Sequence, residues 1–210
     1  MSKKQADLSN SNLLKKMIGN NDIGTIFPLI LLCVVVSIVN PDFLMINNLA
    51  DVLRTSSYNF IVASPITYLM ISGGMDLSIG STISLGSVMA AVFMARMGLL
   101  IPIGMVLALV CGALVGLFNG LLITKFGFPP FIVTLGTQYI INGFLSIITN
   151  NTPISGLPEE FKFFGQGRIA NILSYTVIFA LVLGVIGWFI LEKTKYGRAV
   201  FAVGGNRETA

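Results

Sequence analysis

The chain is a succession of long, uncharged apolar runs separated by short clusters of ionisable residues. A hydrocarbon layer about 30 Å thick takes roughly 20 helical residues to cross. The runs supply six such segments, over about 23–41, 57–74, 77–95, 99–124, 130–148 and 171–191. In lipid each must be helical, because a strand edge would leave backbone N–H and C=O groups without partners. The pattern predicts an all-α, polytopic transmembrane helix bundle over 23–191. A polar segment over 1–22 precedes it and a polar exit segment over 192–210 follows. The polar lead is too long for a signal peptide and no small-x-small cleavage site follows the first run, so that run is read as a retained span.

Punctuation between the runs supports these boundaries. Pro129 and Pro130 suit the first turn of the fifth span, where a missing N–H is harmless. Gly73 and Gly74 can terminate the second span, and Asp76 or Ser78 can cap the start of the third. The stretch from Thr149 to Pro158 is rich in turn residues. With the N-terminus inside, the inner face collects Lys3, Lys4, Lys15, Lys16, Lys125, Lys193, Lys195, Arg198 and Arg207. The outer face then holds Arg54, Arg96, Lys162 and Arg168. That bias predicts a cytoplasmic N-terminus and a cytoplasmic exit segment.

Composition narrows the chemistry. Apolar residues make up 54% of the chain and charged residues 10%, against about 25% charged in ordinary soluble domains. There is no histidine, which removes His-ligated metal sites, Ser-His-Asp triads and the H-E-x-x-H metalloproteases. No catalytic residue and no metal site is expected. Cys33 and Cys111 lie inside apolar runs and read as small buried hydrophobes, not as a disulfide. No G-x-x-x-x-G-K-[ST] string occurs, so ATP phosphates are not cradled here in that way. The formal charge of +4 sits at the ends of apolar segments and forms no stripe, which fits anchoring at a lipid surface and not nucleic-acid binding.

Two stripes run inside the predicted spans. The fourth carries Gly104, Ala108, Gly112, Gly116 and Gly120, one small residue every four positions. Such a stripe stays close to one helix face and lets another backbone approach, a helix-packing reading that requires no transport. The fifth carries Thr134, Gln138, Asn142 and Ser146 at the same spacing. Amides facing lipid are costly, so this face meets protein or water. Inter-helical hydrogen bonding and the lining of a passage for an uncharged polar solute both account for it. Asp76 is read first as a helix cap, with proton or ion coupling as the other possibility. Trp188 and Tyr196 read as interfacial anchors.

Two strings are too particular for composition to explain. One is Gly73-Gly74-Met75-Asp76-Leu77-Ser78-Ile79-Gly80-Ser81; the other is Thr194-Lys195-Tyr196-Gly197-Arg198, running on through Phe201 and Ala202 to Val203-Gly204-Gly205-Asn206-Arg207-Glu208. Together they resemble the ribose-type (monosaccharide) family of ABC importer permeases, which shows G-G-x-D-L-S-x-G early and T-x-x-G-R…A-x-G-G-N later. Pro153-Ile154-Ser155-Gly156-Leu157-Pro158 is similar to that family's outer-loop segment, less specifically.

The resemblance implies a permease subunit in the plasma (inner) membrane of a bacterium, without enzymatic activity of its own. It implies four partners: an ABC ATPase subunit that holds ATP and Mg, an extracytoplasmic solute-binding protein, a second permease copy or paralogue, and the bilayer. Lys195, Tyr196, Gly197, Arg198, Phe201, Gly204, Gly205, Asn206, Arg207 and Glu208 then become ATPase-coupling candidates, as a short helix carrying apolar and charged contacts. Gly73, Gly74, Asp76, Leu77, Ser78 and Gly80 become the family motif between the second and third spans. On residue chemistry alone, without the resemblance, the exit segment reads in preference as a basic stretch held by anionic lipid. Family members run to about ten spans, whereas this sequence stops at Thr209-Ala210 within the second motif, so it is expected to be an N-terminal fragment. A secondary transporter or channel for a small polar solute is the alternative, since polar stripes and a glycine-broken loop fit it too. The solute is not encoded legibly.

Overall fold

In the computed structural model, which describes residues 21–169 and 172–205, the apolar runs are helices joined by short turns. The chain divides into two compact units, Met1–Leu53 and Arg54–Ala210. The first contains α1 (Asn21–Val39) and a 3-10 turn over Pro41–Leu44. Asn40 caps that turn, its side chain accepting the Asp42 N–H at 3.1 Å. There α2 (Ile46–Ile71) begins, Asn48 Nδ2 donating to the Phe43 carbonyl at 2.7 Å. Most of α2 belongs to the second unit.

That second unit continues with α3 (Ile79–Ala91), which a π turn over Val92–Arg96 prolongs, then α4 (Ile101–Thr124) and α5 (Pro130–Thr149). After a loop come α6 (Glu159–Gln166), a two-residue hairpin of β1 (Arg168–Ile169) and β2 (Leu173–Ser174), α7 (Tyr175–Lys193) and α8 (Lys195–Gly205). The strands are antiparallel, with Arg168 opposite Ser174.

Helices α3, α4 and α5 pack as an up-down-up trio around Leu85, Ile141 and Leu145, with Val88, Cys111 and Val115 against them. Helix α2 packs on α7. A Cβ on Gly184 would stand 2.9 Å from the Phe60 ring, and one on Gly187 2.9 Å from the Tyr68 hydroxyl, which donates to the Gly187 carbonyl. Phe60, Ser64 and Tyr68 are four apart and so share one face of α2. Glycine opposite them removes the side chains that would hold the backbones apart.

Much apolar surface faces outward: Leu109 is 72% exposed and Ile147 77%. In water each such side chain would forgo about 1.5–3 kcal/mol of burial; against hydrocarbon nothing is forgone. Four described helices are long and apolar enough to cross a bilayer: Ile79–Arg96, Ile101–Thr124, Pro130–Thr149 and Tyr175–Lys193. Ile26–Val39 is a shorter apolar helix. The 26 residues of α2 span about 39 Å at 1.5 Å each, but its Ser, Thr and Asn residues keep its hydropathy low.

Several element limits differ from those read in the sequence. Helix α2 starts at Ile46 and not near 57, because Asp51 and Arg54 interrupt an apolar run without interrupting a helix. The last long helix starts at Tyr175 and not near 171, because the hairpin takes the residues before it. Helix α6 lies in a stretch assigned no element; eight residues carrying three charges fall below any span-length search. Cys33 and Cys111 are free thiols, half-buried and not fully buried as expected.

Candidate functional site

The second string lies against the end of α2, directly ahead of the first. Helix α2 ends where Gly73 takes a left-handed φ of 77°. There the Gly73 N–H bonds the Met70 carbonyl at 3.0 Å, and the Gly74 N–H bonds the Leu69 carbonyl at 2.9 Å. This glycine-terminated cap satisfies carbonyls that the helix end would orphan. Three residues after Gly73, Asp76 Oδ1 accepts both the Ser78 N–H at 2.7 Å and the Ser78 hydroxyl at 2.6 Å, an Asx turn that starts α3. Asp76 is thus the residue whose side chain holds the helix start, two residues ahead of a Ser78 whose own side chain caps nothing. Leu77 and Gly80 flank this turn, and a Cβ on Gly80 would meet nothing within 4 Å.

Helix α8 rests on the end of α2. Gly197, Val200 and Gly204 recur at helical spacing; Gly197 and Val200 are buried, and Gly204, though exposed, sets its backbone against Ile71. A side chain at Gly197 would overlap the Leu191 carbonyl, and one at Gly204 the Ile71 carbonyl. At both positions two backbones touch with no room for a Cβ. Thr194 makes the turn between α7 and α8: its hydroxyl donates to the Ile190 carbonyl and accepts the Gly197 N–H at 3.2 Å. Pro65, Tyr68, Leu69, Ser72, Tyr196 and Val203 line a groove of about 340 Å³ between α2 and α8. Away from the groove α8 leaves Lys195, Arg198 and Phe201 exposed, while Tyr196 lines the groove and is still 62% exposed. Two cations and Phe201 on one short helix, with Tyr196 exposed in the groove beside them, make a surface that can grip a partner through apolar and charged contacts together. Gly205 is exposed at its end, and Asn206, Arg207 and Glu208 lie outside the described residues. Trp188 is exposed on α7, with the Lys193 ammonium 5.5 Å from its ring.

Behind the loop lies a buried polar relay that sequence reading missed. Thr137 donates to Asn119 Oδ1 at 2.6 Å, and Asn119 Nδ2 donates to Ser78 Oγ at 3.0 Å. Ser78 in turn donates to Asp76. Ser78 is 0% exposed, Asn119 4% and Thr137 6%. Every donor in the series points toward the carboxylate, which fixes which end of the Asn119 amide faces which partner. A lone Asn in the apolar fourth span was the available signal; the small-residue stripe beside it drew attention away.

The stripes divide. In α4, Gly104 and Ala108 are buried, a Cβ on Gly104 reaching 2.6 Å from Met94 Cγ. Gly112 would meet Thr82 at 3.8 Å, while Gly116 and Gly120 would meet nothing within 4 Å. In α5, Thr134 is buried and bonds back to the Pro130 carbonyl at 2.8 Å; Gln138 is half-buried, and Asn142 and Ser146 are exposed. Four-residue steps overshoot a full turn by about 40° each, so the stripe winds from the packed face to an open one. Among the described residues no cluster suited to a metal ion exists.

Residues 48–210 match the family described as the permease component of branched-chain amino acid transport systems, and the chain belongs to that family. It is 37% identical over 201 residues to the galactose/methyl galactoside import permease protein of Haemophilus influenzae, covering 88% of this chain and 60% of that one. The ribose import permease protein of Bacillus subtilis is 36% identical over 195 residues, covering 90% and 58%. The Escherichia coli galactose/methyl galactoside protein is 35% identical over 204 residues, covering 89% and 61%. The chain therefore spans about 60% of the length of the curated relatives it matches. No solved structure matches it. Ribose and galactose permeases are the class to which the two strings pointed.

Proposed function

We propose that the protein is a membrane-spanning permease subunit of an ATP-binding-cassette importer that moves a monosaccharide, ribose- or galactose-like, across a bacterial plasma membrane. The observation that carries this reading is the seating of α8 on the end of α2, with Lys195, Arg198 and Phe201 turned outward and Tyr196 exposed in the groove. A helix held by backbone contact at Gly197 and Gly204 cannot shift without dragging α7 and α2. A separate ATPase subunit, holding ATP and Mg, grips the outward side chains, so that nucleotide-driven closure moves the spans. An extracytoplasmic binding protein delivers the solute, and a second permease subunit completes the pathway. The N-terminus and α8 are cytoplasmic, in keeping with the Lys and Arg bias.

Arg198→Glu in the full-length protein reverses one exposed charge without touching the buried face of α8. Co-purification with the ATPase is expected to fall about tenfold, the scale of one lost charge-assisted contact of ~1.4 kcal/mol, and sugar uptake with it. Undiminished co-purification and uptake would refute docking at this helix.

For the pathway, Asn142 and Ser146 offer amide and hydroxyl groups on the open face of α5, and Gln138 a half-buried one. Cysteine placed singly at Asn142 or Ser146 in a cysteine-free background is expected to react with a polar thiol reagent at least about tenfold faster than cysteine at the buried Thr134. Equal rates at all three positions would count against a lined passage.

A further inference from the structure

The segment from Ser72 to Ser78 is held at both ends. At one end the glycine cap ties it to Leu69 and Met70, and the Gly204 backbone of α8 lies on Ile71. At the other, the Asx turn of Asp76 locks it to the start of α3. Its remaining attachment is lateral. Among the described residues, the side-chain hydrogen bonds from this linker into α4 and α5 run through Asn119, from Ser78 on one side to Thr137 on the other.

Position in the helices matters as much as the bonds. Asn119 lies five residues before the end of α4 and Thr137 seven after the start of α5. At 1.5 Å per residue both are within about 10 Å of the helix ends that face the linker. The relay thus sits near the linker ends of α4 and α5, and well away from Ser146, about 24 Å along α5 from Pro130.

Apolar packing alone would hold these helices together. Leu85, Ile141 and Leu145 do so further along. Replacing part of such packing with a polar relay is not needed for cohesion, and each polar group buried there must be satisfied to avoid a penalty. What the relay adds is direction and register: hydrogen bonds of 2.6–3.0 Å tolerate little sliding, whereas apolar side chains slip past one another.

We propose that Asn119 is a positioning residue that transmits displacement of α8, through the 72–78 linker, to α4 and α5. This rests on the proposed function, in which α8 is moved by an ATPase. Without the amide, α8 still pulls on α7 and α2 directly, but α4 and α5 follow loosely. ATP is then hydrolysed with less solute moved.

The test is Asn119→Leu, near-isosteric and free of orphaned charge: Asp76 keeps both Ser78 donors, and the Thr137 hydroxyl can turn to a carbonyl of its own helix. Full-length protein, assembled with its ATPase and binding protein in liposomes, is assayed with radiolabelled ribose and galactose. The readout is solute moved per ATP hydrolysed, which a loss of folded protein would not change. The expected result is a fall of at least about tenfold in that ratio, with hydrolysis largely retained. Should Asn119→Leu fail to reach the membrane, Thr137→Val against Thr137→Ser decides, the serine keeping the hydroxyl and the ratio, the valine losing both. An unchanged ratio in Asn119→Leu, or in Thr137→Val where Asn119→Leu does not assemble, overturns the role of Asn119 and leaves the proposed function intact. Absence of ATP-driven uptake by the wild-type assembly removes both.

Discussion

Gly197→Val is expected to reduce uptake to background while the transmembrane helices still insert. A Cβ at this position would overlap the carbonyl oxygen of Leu191, with the Leu191 carbonyl carbon and Cα close behind. All three are backbone atoms, so no rotamer change relieves the overlap. Residue 194 alone separates α7 from α8, and a turn that short has no slack to absorb it. The cost of forcing two added methyls and a Cβ into such a contact is about 3 kcal/mol or more locally. Because α8 is attached to the bundle mainly at this turn and at Gly204, the response is release of α8 and not unfolding of α7. ATPase co-purification is expected to fall with uptake, while the amount of protein in the membrane stays within about twofold. Gly205→Ala is the control, since a Cβ there meets nothing within 4 Å. Wild-type uptake by Gly197→Val would mean that the packed turn is not how α8 is held.

The second large effect is expected from Ser78→Val, and it is a folding effect. Ser78 is fully enclosed, and its hydroxyl both donates to Asp76 and accepts from Asn119. Valine removes both bonds and adds a methyl group to a site with no space. Asp76 then keeps one donor, the backbone N–H of residue 78, and the Asn119 amide N–H loses its acceptor in an apolar interior. Each buried group so stranded costs about 1–3 kcal/mol, and overpacking adds about as much. The sum is a large part of the 5–15 kcal/mol that typically separates folded from unfolded states. Ser78→Val is expected to be nearly absent from the membrane fraction, and Ser78→Ala to be present with a lowered Tm in detergent. If Ser78→Val accumulated and melted like the parent, the relay would carry no weight in the fold. The contrast with Asn119→Leu is deliberate chemistry: one change strands partners, the other removes a link and strands nothing.

The legible and the illegible divide along physical lines. Helix limits set by proline and glycine were legible, because these residues act on their own backbone: Pro130 starts α5, and the glycine pair ends α2. Asp76 as a cap was legible for the same reason, its partner being two residues away. The amphipathic α6 was not, since a search for span-length runs passes over eight residues. Nor was the fate of the small-residue stripe in α4. Gly104 and Gly116 are the same residue in the same pattern, yet one faces Met94 and the other nothing within 4 Å. Spacing tells which residues share a face; it does not tell how far along that face a neighbour extends. Asn119 was overlooked because an amide in an apolar run has many possible partners, and only the crossing of three helices selects Ser78 and Thr137.

By itself, the order of residues settled that this is an all-α membrane protein with glycine-rich punctuation, because hydrophobicity over span-length windows and local backbone preference are properties a linear chain already possesses. It also carried the two strings that mark the permease family. Tertiary structure decided that the later string lies against Ile71 and Ser72, directly ahead of the earlier one and more than a hundred positions away, and that Asn119, between the two in sequence, ties the earlier string into the bundle. Close backbone approach and buried hydrogen bonds between distant residues depend on where helices cross, and crossing is settled only when every helix has packed.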